Sequence, residues 1–286
     1  MSNYLGVIPY TGNKQSLLKD LLPMFPEKVS TFYDVFCGGL SVSLNVPYPV
    51  VSMDIEKPLV DMYNMLLNQP DIGFVNDIVE EYRMTPTDEG PYYDLRNHYN
   101  ETKDPKALYV LLMFAYCNLY RTNLKGGFNA PFGNNRNRGV RGGYKDVWLD
   151  RFNHMHRKKE TGLTILNAPY HAATPLPGDF VYCDPPYLIT GAQYNAKWKE
   201  EDEIRLYAWL DELDSRGVKF GLSNVMEHGG RSNDILIEWA KKYDVIDLDK
   251  RYMLKQIQGK ENEKTREVYV CNTGVNSNPY NLEDFM

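Results

Sequence analysis

The sequence of 286 residues predicts an α/β fold in which a core with a parallel sheet is interrupted by a mainly helical insertion. Strand-like and helix-like segments alternate in the first 57 residues, and the alternation resumes after residue 160. Between these points, residues 70–120 have helical patterns, whereas residues 121–145 hold six glycines, six basic residues and no acid. We therefore predict a core of residues 1–57 and 161–286, with residues 58–160 inserted.

The predicted elements before the insertion form one recognisable unit. They are a helix over 14–25, a strand over 30–36, a glycine turn entering a helix over 38–46, a strand over 50–55 and a helix over 58–68. A strand, a glycine turn, a helix and a second strand make a βαβ unit, whose two strands run parallel.

The pattern after the glycine-rich segment predicts the remainder of the sheet. The predicted elements are a helix over 146–159, strands over 163–166, 179–183 and 218–224, helices over 200–216 and 232–243, and a final strand pair of 244–250 with 265–272.

The charge of the chain is unevenly distributed. The net charge is −6, yet residues 121–159 contain ten basic residues against two acidic ones. A local basic surface binds phosphates whatever the total charge, so this segment predicts a nucleic-acid surface. The alternative is an ordinary solvated loop.

Composition also bears on the environment of the protein and on metals. No apolar run is long enough for a transmembrane helix, and the N-terminus lacks the regions of a signal peptide. The four cysteines lie far apart in apolar surroundings without a Cys-x-x-Cys pair, which predicts buried, reduced thiols in a cytoplasmic protein, with no zinc site or disulfide. The histidines have no metal-ligand spacing, so we expect no metal. The sequence carries no indication of the oligomeric state.

A glycine turn and a carboxylate follow the first two predicted strands. Cys37, Gly38 and Gly39 directly follow Phe36 at the end of the first strand, and glycines allow a ligand to approach the backbone closely. Asp54 follows the second strand, where a carboxylate can accept both hydroxyl groups of a ribose. The pattern indicates a nucleoside-bearing cofactor, although its glycine spacing is neither that of G-x-G-x-x-G nor that of a P-loop. A plain tight turn is the alternative.

The segment Asp184-Pro185-Pro186-Tyr187 directly follows the hydrophobic strand predicted over 179–183. The Asp184 carboxylate and the Pro185 carbonyl can accept the two hydrogens of an exocyclic amine, and Tyr187 can stack on the ring that carries it. Two prolines fix the backbone between these groups, and such rigidity serves orientation-dependent catalysis. A turn that merely ends the strand is the alternative.

These motifs, in this order, resemble the DNA adenine N6-methyltransferases of the Dam type, in the α-group of the D12 class. The segment from Tyr10 to Lys14 is similar to the family's N-terminal cofactor motif. Phe36-Cys-Gly38-Gly resembles its methionine-binding motif Phe-x-Gly-x-Gly, with Leu40 in place of the last glycine. The resemblance implies a Rossmann-like methyltransferase core that binds S-adenosylmethionine. The implied cofactor-binding residues are Tyr10, Lys14, Phe36, Gly38, Asp54 and Asp184.

The resemblance extends into the insertion. The segment 121–133 resembles the part of GATC-methylating members that reads duplex DNA. It implies that Arg121 contacts a guanine and that Leu119 and Pro131 lie near a thymine methyl group. Double-stranded DNA is therefore the expected partner. The expected DNA-binding residues are Leu119, Arg121, Asn123, Pro131, Arg136, Arg138 and Arg141, the last three on phosphates.

The implied reaction is direct methyl transfer to an adenine amine in a short duplex sequence, with GATC as the expected site. Adenine must leave the duplex to present this amine, so base flipping is expected. In the catalytic motif Asp184 and Pro185 orient the amine and Tyr187 stacks on the flipped base. Enzymes with related Pro-Pro motifs that act on cytosine N4, RNA adenine or protein glutamine are alternatives, and so is a DNA-binding protein without activity. Restriction protection, phage evasion and regulation are all open as the biological role.

Overall fold

The computed structural model of the chain describes residues 6–8, 14–133, 144–190, 198–248 and 265–274. The chain divides into two compact units, each made of separated stretches. The first unit comprises Met1–Ser16 and Cys37–Ala168, and the second comprises Leu17–Phe36 and Pro169–Met286. Parallel strands connected through helices confirm the predicted α/β class. The predicted boundaries of the insertion, at residues 58 and 160, stay a prediction.

The described helices are α1 (Leu18–Leu21), α2 (Lys57–Leu67), α3 (Gly73–Glu81), α4 (Gly90–Thr102), α5 (Pro105–Phe114), α6 (Tyr144–Glu160), α7 (Glu200–Ser215) and α8 (Asp234–Trp239). The described strands are β1 (Phe32–Asp34), β2 (Val50–Asp54), β3 (Leu163–Asn167), β4 (Phe180–Cys183), β5 (Lys219–His228), β6 (Arg231–Ser232), β7 (Asp244–Asp247) and β8 (Thr265–Cys271).

The first unit is mainly helical, with α2 to α6 and the parallel strand pair β2–β3. Helix α5 forms its centre, because every side chain from Ala107 to Ala115 is buried. A helix that is apolar on all sides belongs in the interior of a domain. Its start is defined by Asp104, whose carboxylate accepts the Lys106 backbone N–H at 3.0 Å, and by Pro105 in the first turn.

Within the first unit, basic side chains of helix α6 hydrogen-bond to backbone carbonyl groups of neighbouring segments. Lys158 Nζ donates to the carbonyl oxygens of Val46 and Tyr48 at 2.7 and 2.5 Å, and Arg151 Nη1 donates to Gly6 O at 2.6 Å. Both basic side chains are buried. Two of the ten basic residues between 121 and 159 are therefore used inside the unit, and the basic surface is smaller than their number suggests.

Because of Lys158, the free energy of unfolding should change with pH in the alkaline range. Burial lowers the pKa of Lys158 to about 8, from the ordinary value of 10.5. Between these values the unfolded chain binds a proton that the folded chain lacks, so the stability contributed by Lys158 rises with pH. We expect the difference in unfolding free energy between the wild type and Lys158→Met to increase from pH 8 to pH 10. Urea titrations would measure it, with the exposed Lys28→Met as the control, and an unchanged difference would contradict the assignment.

The second unit contains the larger part of the sheet. Its strands lie in the order β1–β4–β5–β8–β7, and β6 pairs with β5. Strands β1, β4 and β5 run parallel, whereas β8 is antiparallel to both of its neighbours. Pairing of β7 with β8 confirms the predicted final strand pair. The core includes Phe25, Phe32, Phe180 and Tyr182, whose rings lie 5.2 to 6.4 Å apart where they contact one another.

Two predicted helices before the insertion differ in the structure. The helix expected over 38–46 is wrong, because this segment forms successive turns. Gly38 and Leu40 have φ angles of 44° and 60°, and these left-handed conformations cannot continue a right-handed helix. The helix expected over 14–25 is shorter than predicted and consists of α1 followed by a 3-10 turn over Leu22–Met24.

The glycine-rich segment, predicted as irregular, is a hairpin in its first half. Antiparallel bridges join Ala115 to Phe132 and Thr122 to Phe128. Residues 134–143 of the segment lie outside the described part of the chain, as do residues 249–264 between β7 and β8.

Neither a membrane span nor a metal cluster is found among the residues that the structure describes. None of their helices combines the length and apolar character needed to cross a bilayer. Within the same residues, no three His, Cys, Asp or Glu side chains are grouped so that they could hold a metal ion. Three cysteines are buried as predicted, but the prediction is wrong for Cys117, which is exposed in the turn after α5.

Candidate active site

The glycine turn and Asp54 meet in the first unit, as the sequence predicts. Asp54 Oδ2 accepts the Gly38 N–H at 3.0 Å, and Asp54 Oδ1 accepts the Glu56 N–H at 2.9 Å. The other side of the turn is held by the Tyr63 hydroxyl, which donates to Gly38 O at 2.7 Å. The carboxylate therefore fixes the turn that follows β1 to the end of β2.

The surroundings of Asp54 suit a hydroxylated ligand. Burial raises its pKa, although hydrogen bonds from the Glu56 and Gly38 N–H groups oppose this effect. Each oxygen of a carboxylate has a further lone pair beyond the one used by these N–H groups. The residues present therefore fit the ribose hydroxyls of a nucleoside.

The N-terminal segment packs directly on the same turn. Val7 N donates to Gly39 O at 3.1 Å, and a Cβ atom at Gly6 would lie only 2.5 Å from that oxygen. Lys14, which is 5% exposed, donates its backbone N–H to Ser41 Oγ at 3.3 Å. The predicted cofactor residues Lys14, Gly38 and Asp54 thus belong to one region of the first unit.

Phe36, the remaining described residue of the predicted cofactor motif, belongs to the second unit. Its ring stacks on Tyr170 with centroids 5.5 Å apart, and Trp198 meets it edge-on at 5.9 Å. No sequence pattern indicated either of these aromatic neighbours, because they lie 134 and 162 residues away along the chain. The motif from Phe36 to Gly39 therefore passes from one unit to the other.

The catalytic motif follows a strand that is buried over its whole length. All four residues of β4 are buried, and so is Pro185, whereas Asp184 and Tyr187 are half-buried. The Tyr187 hydroxyl lies 3.0 Å from Asp184 Oδ1 and 2.9 Å from Glu267 Oε1. Burial and these two carboxylates raise the pKa of Tyr187 well above its usual range, so the phenol keeps its proton. No sequence pattern indicated a role for Glu267.

The groups behind the catalytic motif are held in their neutral forms. Burial, together with Asp34 and Asp184, raises the pKa of the Cys183 thiol well above its usual range. The Tyr182 hydroxyl is also buried, is paired with Ser223 Oγ at 2.8 Å, and has a raised pKa. Asp184 is therefore followed by a rigid turn and preceded by a thiol that is not a nucleophile.

The hairpin of the first unit carries the described DNA-binding candidates. Arg121 donates from Nε to Asn129 Oδ1 at 2.8 Å and from Nη2 to Asn129 O at 2.6 Å. A guanidinium has five N–H donors, so three are left after these two bonds. Asn123 and Pro131 are exposed and Leu119 is half-buried.

Four predicted site residues lie outside the described part of the chain. They are Tyr10, Arg136, Arg138 and Arg141.

The family model that matches this chain is described as "D12 class N6 adenine-specific DNA methyltransferase", and the match covers residues 10–254. This range includes the glycine turn, Asp54, the hairpin and the catalytic motif.

The chain is also similar to named bacterial enzymes. It is 34% identical over 253 residues to the type II methyltransferase M.FokI of Planomicrobium okeanokoites, and 32% identical over 258 residues to the modification methylase StsI of Streptococcus sanguinis. Both matches cover 85% of this chain but only 39% of the relative, so the chain spans about two fifths of their length. A DNA adenine methylase of Vibrio cholerae is 28% identical over 207 residues, which are 68% of this chain and 70% of that protein.

Proposed function

The chain belongs to the D12 class of N6 adenine-specific DNA methyltransferases, and we propose that it methylates the N6 amine of adenine within a short sequence of duplex DNA. One observation carries the proposal. Asp184 stands at the end of a fully buried strand, followed by a rigid Pro-Pro turn, with its Oδ1 3.0 Å from the Tyr187 hydroxyl. The names of the FokI and StsI relatives favour a modification role beside a restriction enzyme.

The methyl donor is S-adenosylmethionine, which supplies a methyl group on a positively charged sulfur. Asp54 accepts the ribose hydroxyls, and its bonds to the Gly38 and Glu56 N–H groups hold the carboxylate in place before the ligand binds. Lys14 and Phe36 contribute further contacts, as does Tyr10. The hydrogen bonds that join the glycine turn to Asp54 support this assignment of the cofactor site.

The adenine amine is oriented by the catalytic motif. Asp184 accepts one hydrogen of the amine and the Pro185 carbonyl accepts the other, so the nitrogen lone pair stays available for the methyl group that S-adenosylmethionine would supply, which would leave its sulfur as a neutral thioether. An adenine in a duplex cannot present its amine in this way, so the base leaves the stack, and Tyr187 stacks on it. Asp184 does not need to be a strong base, because the proton can leave after the nitrogen–carbon bond has formed.

The decisive experiment is incubation of the protein with tritiated S-adenosylmethionine and duplex DNA, followed by mapping of the modified bases. N6-methyladenine at one short sequence supports the proposal. Labelled cytosine, labelled RNA in place of DNA, or no label at all would overturn it. A duplex and its separate single strands, compared at equal concentration, test the preference for double-stranded DNA.

GATC is the proposed recognition sequence, and the hairpin is the proposed reader. Two bonds to Asn129 hold one edge of Arg121, and the remaining donors can pair with guanine O6 and N7. A side chain held in one orientation distinguishes bases better than a mobile one does, which favours base contact over phosphate contact.

Arg121→Ala should reduce methylation of GATC about tenfold and should reduce methylation of duplexes altered at the contacted guanine much less. The measurement is single-turnover methylation of GATC against four duplexes with one base pair changed. Lys125→Ala removes a positive charge from the exposed tip of the same hairpin and should slow all duplexes about equally. An equal loss on every duplex for Arg121→Ala would make Arg121 a phosphate contact.

A further inference from the structure

One side chain of helix α6 holds the N-terminal segment of the chain. Arg151 Nη1 donates to the Gly6 carbonyl oxygen at 2.6 Å, across 145 residues of sequence. A donor that carries a charge gives a short and strong hydrogen bond. Residues 6–8 belong to no helix or strand, so side-chain contacts of this kind help to set the position of the segment.

The Arg151 guanidinium is a costly group to bury at this place. The side chain is 6% exposed, and burial lowers its pKa, although an arginine keeps its charge in a folded protein. Among the described residues it forms no ion pair, and its one hydrogen bond to them goes to Gly6 O. An apolar side chain of similar length would avoid the cost of burying a charge. Packing of the unit alone therefore does not explain an arginine here.

The segment that Arg151 holds packs closely on the glycine turn. Val7 N donates to Gly39 O at 3.1 Å, and a Cβ atom at Gly6 would lie 2.5 Å from the same oxygen. Further along the segment, the Lys14 N–H donates to Ser41 Oγ at 3.3 Å. The contact at Gly6 leaves no room for a methyl group, so a displacement of the segment should also disturb the turn.

The glycine turn is thus attached at two neighbouring residues. Asp54 accepts the N–H of Gly38 at 3.0 Å, and Val7 donates to the carbonyl oxygen of Gly39. A site that already has its binding arrangement before the ligand arrives binds more tightly than one that must be ordered. The bond from Arg151 stabilises the second of these attachments.

We infer that Arg151 is a positioning residue of the cofactor site. By holding the Gly6 carbonyl, it keeps the N-terminal segment on the glycine turn, in the arrangement that binds S-adenosylmethionine. The inference rests on the proposed function, in which Lys14, Gly38 and Asp54 bind this cofactor. Arg151 acts through the backbone of Gly6 and is assigned no contact with the cofactor or with DNA.

Arg151→Met tests the inference, because methionine keeps the length of the side chain but has no donor. The variant should bind S-adenosylmethionine about tenfold more weakly in calorimetric titrations without DNA, the effect of about one hydrogen bond. Arg151→Lys keeps a cationic donor and should recover part of the affinity. Lys159→Met is the matched control on the same helix and should bind as the wild type does, because Lys159 Nζ donates at 2.7 Å to Leu67 O, a carbonyl outside the cofactor site.

Hydrogen exchange of the cofactor-free protein distinguishes a positioning role from a merely structural one. In Arg151→Met the Val7 N–H should exchange about tenfold faster, because its bond to Gly39 O opens more often. The amides of α5, in the same unit, should exchange at wild-type rates. If the α5 amides accelerate by the same factor as Val7, the whole unit has been loosened and the inference is overturned.

Gly6→Ala disturbs the same contact without removing a buried polar group. Its methyl group would meet Gly39 O, so this variant should also bind S-adenosylmethionine more weakly. Both changes release one segment, so the variant that combines them with each other should bind little worse than the weaker of the two single variants. Losses of affinity that multiply in the combined variant would show independent effects and would overturn the inference.

The outcomes separate the inference from the proposed function. If the wild type binds S-adenosylmethionine and Arg151→Met or Gly6→Ala binds it equally well, the inference alone is overturned. A wild type that binds no S-adenosylmethionine, or that transfers no methyl group to adenine, overturns the proposed function. Should Arg151→Met fail to fold, Gly6→Ala replaces it in both the titration and the exchange measurement.

Discussion

Replacement of Asp184 by alanine is expected to lower the rate of adenine methylation by about 100- to 1000-fold, which is the largest effect of any change proposed for this protein. In the proposed mechanism this carboxylate is the charged acceptor of the amine, and its position is set by the buried strand before it and the buried Pro185 after it. Alanine leaves this backbone in place but offers no acceptor to the amine.

The affinity for duplex DNA should survive the same change, because the DNA-binding candidates belong to the hairpin. The check is a single-turnover assay with a parallel DNA-binding titration. Asp184→Asn, which keeps one acceptor oxygen without the charge, should fall between alanine and the wild type. Glu238→Ala removes an exposed carboxylate of the same unit and serves as the control. A single-turnover rate near that of the wild type for Asp184→Ala would remove Asp184 from the proposed mechanism.

The second large effect is expected at Asp54. Asp54→Ala should weaken S-adenosylmethionine binding by about 10- to 100-fold, because charge-assisted bonds to the ribose are lost. The loss of affinity should exceed the loss expected from the ribose bonds alone, since the same carboxylate also accepts the Gly38 N–H and holds the glycine turn. Calorimetric titration would measure the affinity, and Asp61→Ala on the exposed face of α2 is the matched control.

Low pH should weaken the binding of S-adenosylmethionine, because Asp54 becomes protonated. The pKa of Asp54 is raised by burial, so this carboxylate gains a proton at a higher pH than an ordinary aspartate does. A protonated carboxyl is a poorer acceptor, so we expect the affinity to fall as the pH drops toward and through the raised pKa. A wild-type affinity that stays constant as the pH falls from 7 to 3.8, the ordinary aspartate pKa, would contradict the ribose assignment.

Local sequence patterns predicted the strands of the sheet and assigned Gly38 and Asp54 to one candidate site, although not the hydrogen bond between them. Buried parallel strands are short apolar runs with clear ends, and each predicted site carboxylate follows such a run. The helix over 38–46 was wrong because its prediction relied on the apolar pattern, whereas left-handed φ angles at Gly38 and Leu40 decide the conformation.

Contacts between distant parts of the chain could not be predicted. Glu267 meets Tyr187 across 80 residues, and Tyr170 and Trp198 meet Phe36 from still further away. Likewise, Arg151 and Lys158 counted toward a basic surface until the structure placed them inside the first unit. Net charge over a segment does not say which charged groups reach solvent.

Leu40 has a consequence for the sequence variation that this turn can tolerate. Its left-handed φ of 60° costs a non-glycine residue about 1–2 kcal/mol, while its fully buried side chain contributes about 1.5–3 kcal/mol. The burial contribution is the larger of the two, and removal of the side chain would also leave a cavity, so Leu40→Gly should destabilise the protein although it relieves the backbone strain. Where the pattern Phe-x-Gly-x-Gly has its last glycine, this chain therefore has a fully buried residue that keeps a left-handed backbone. A β-branched residue would fit this conformation less well than leucine does.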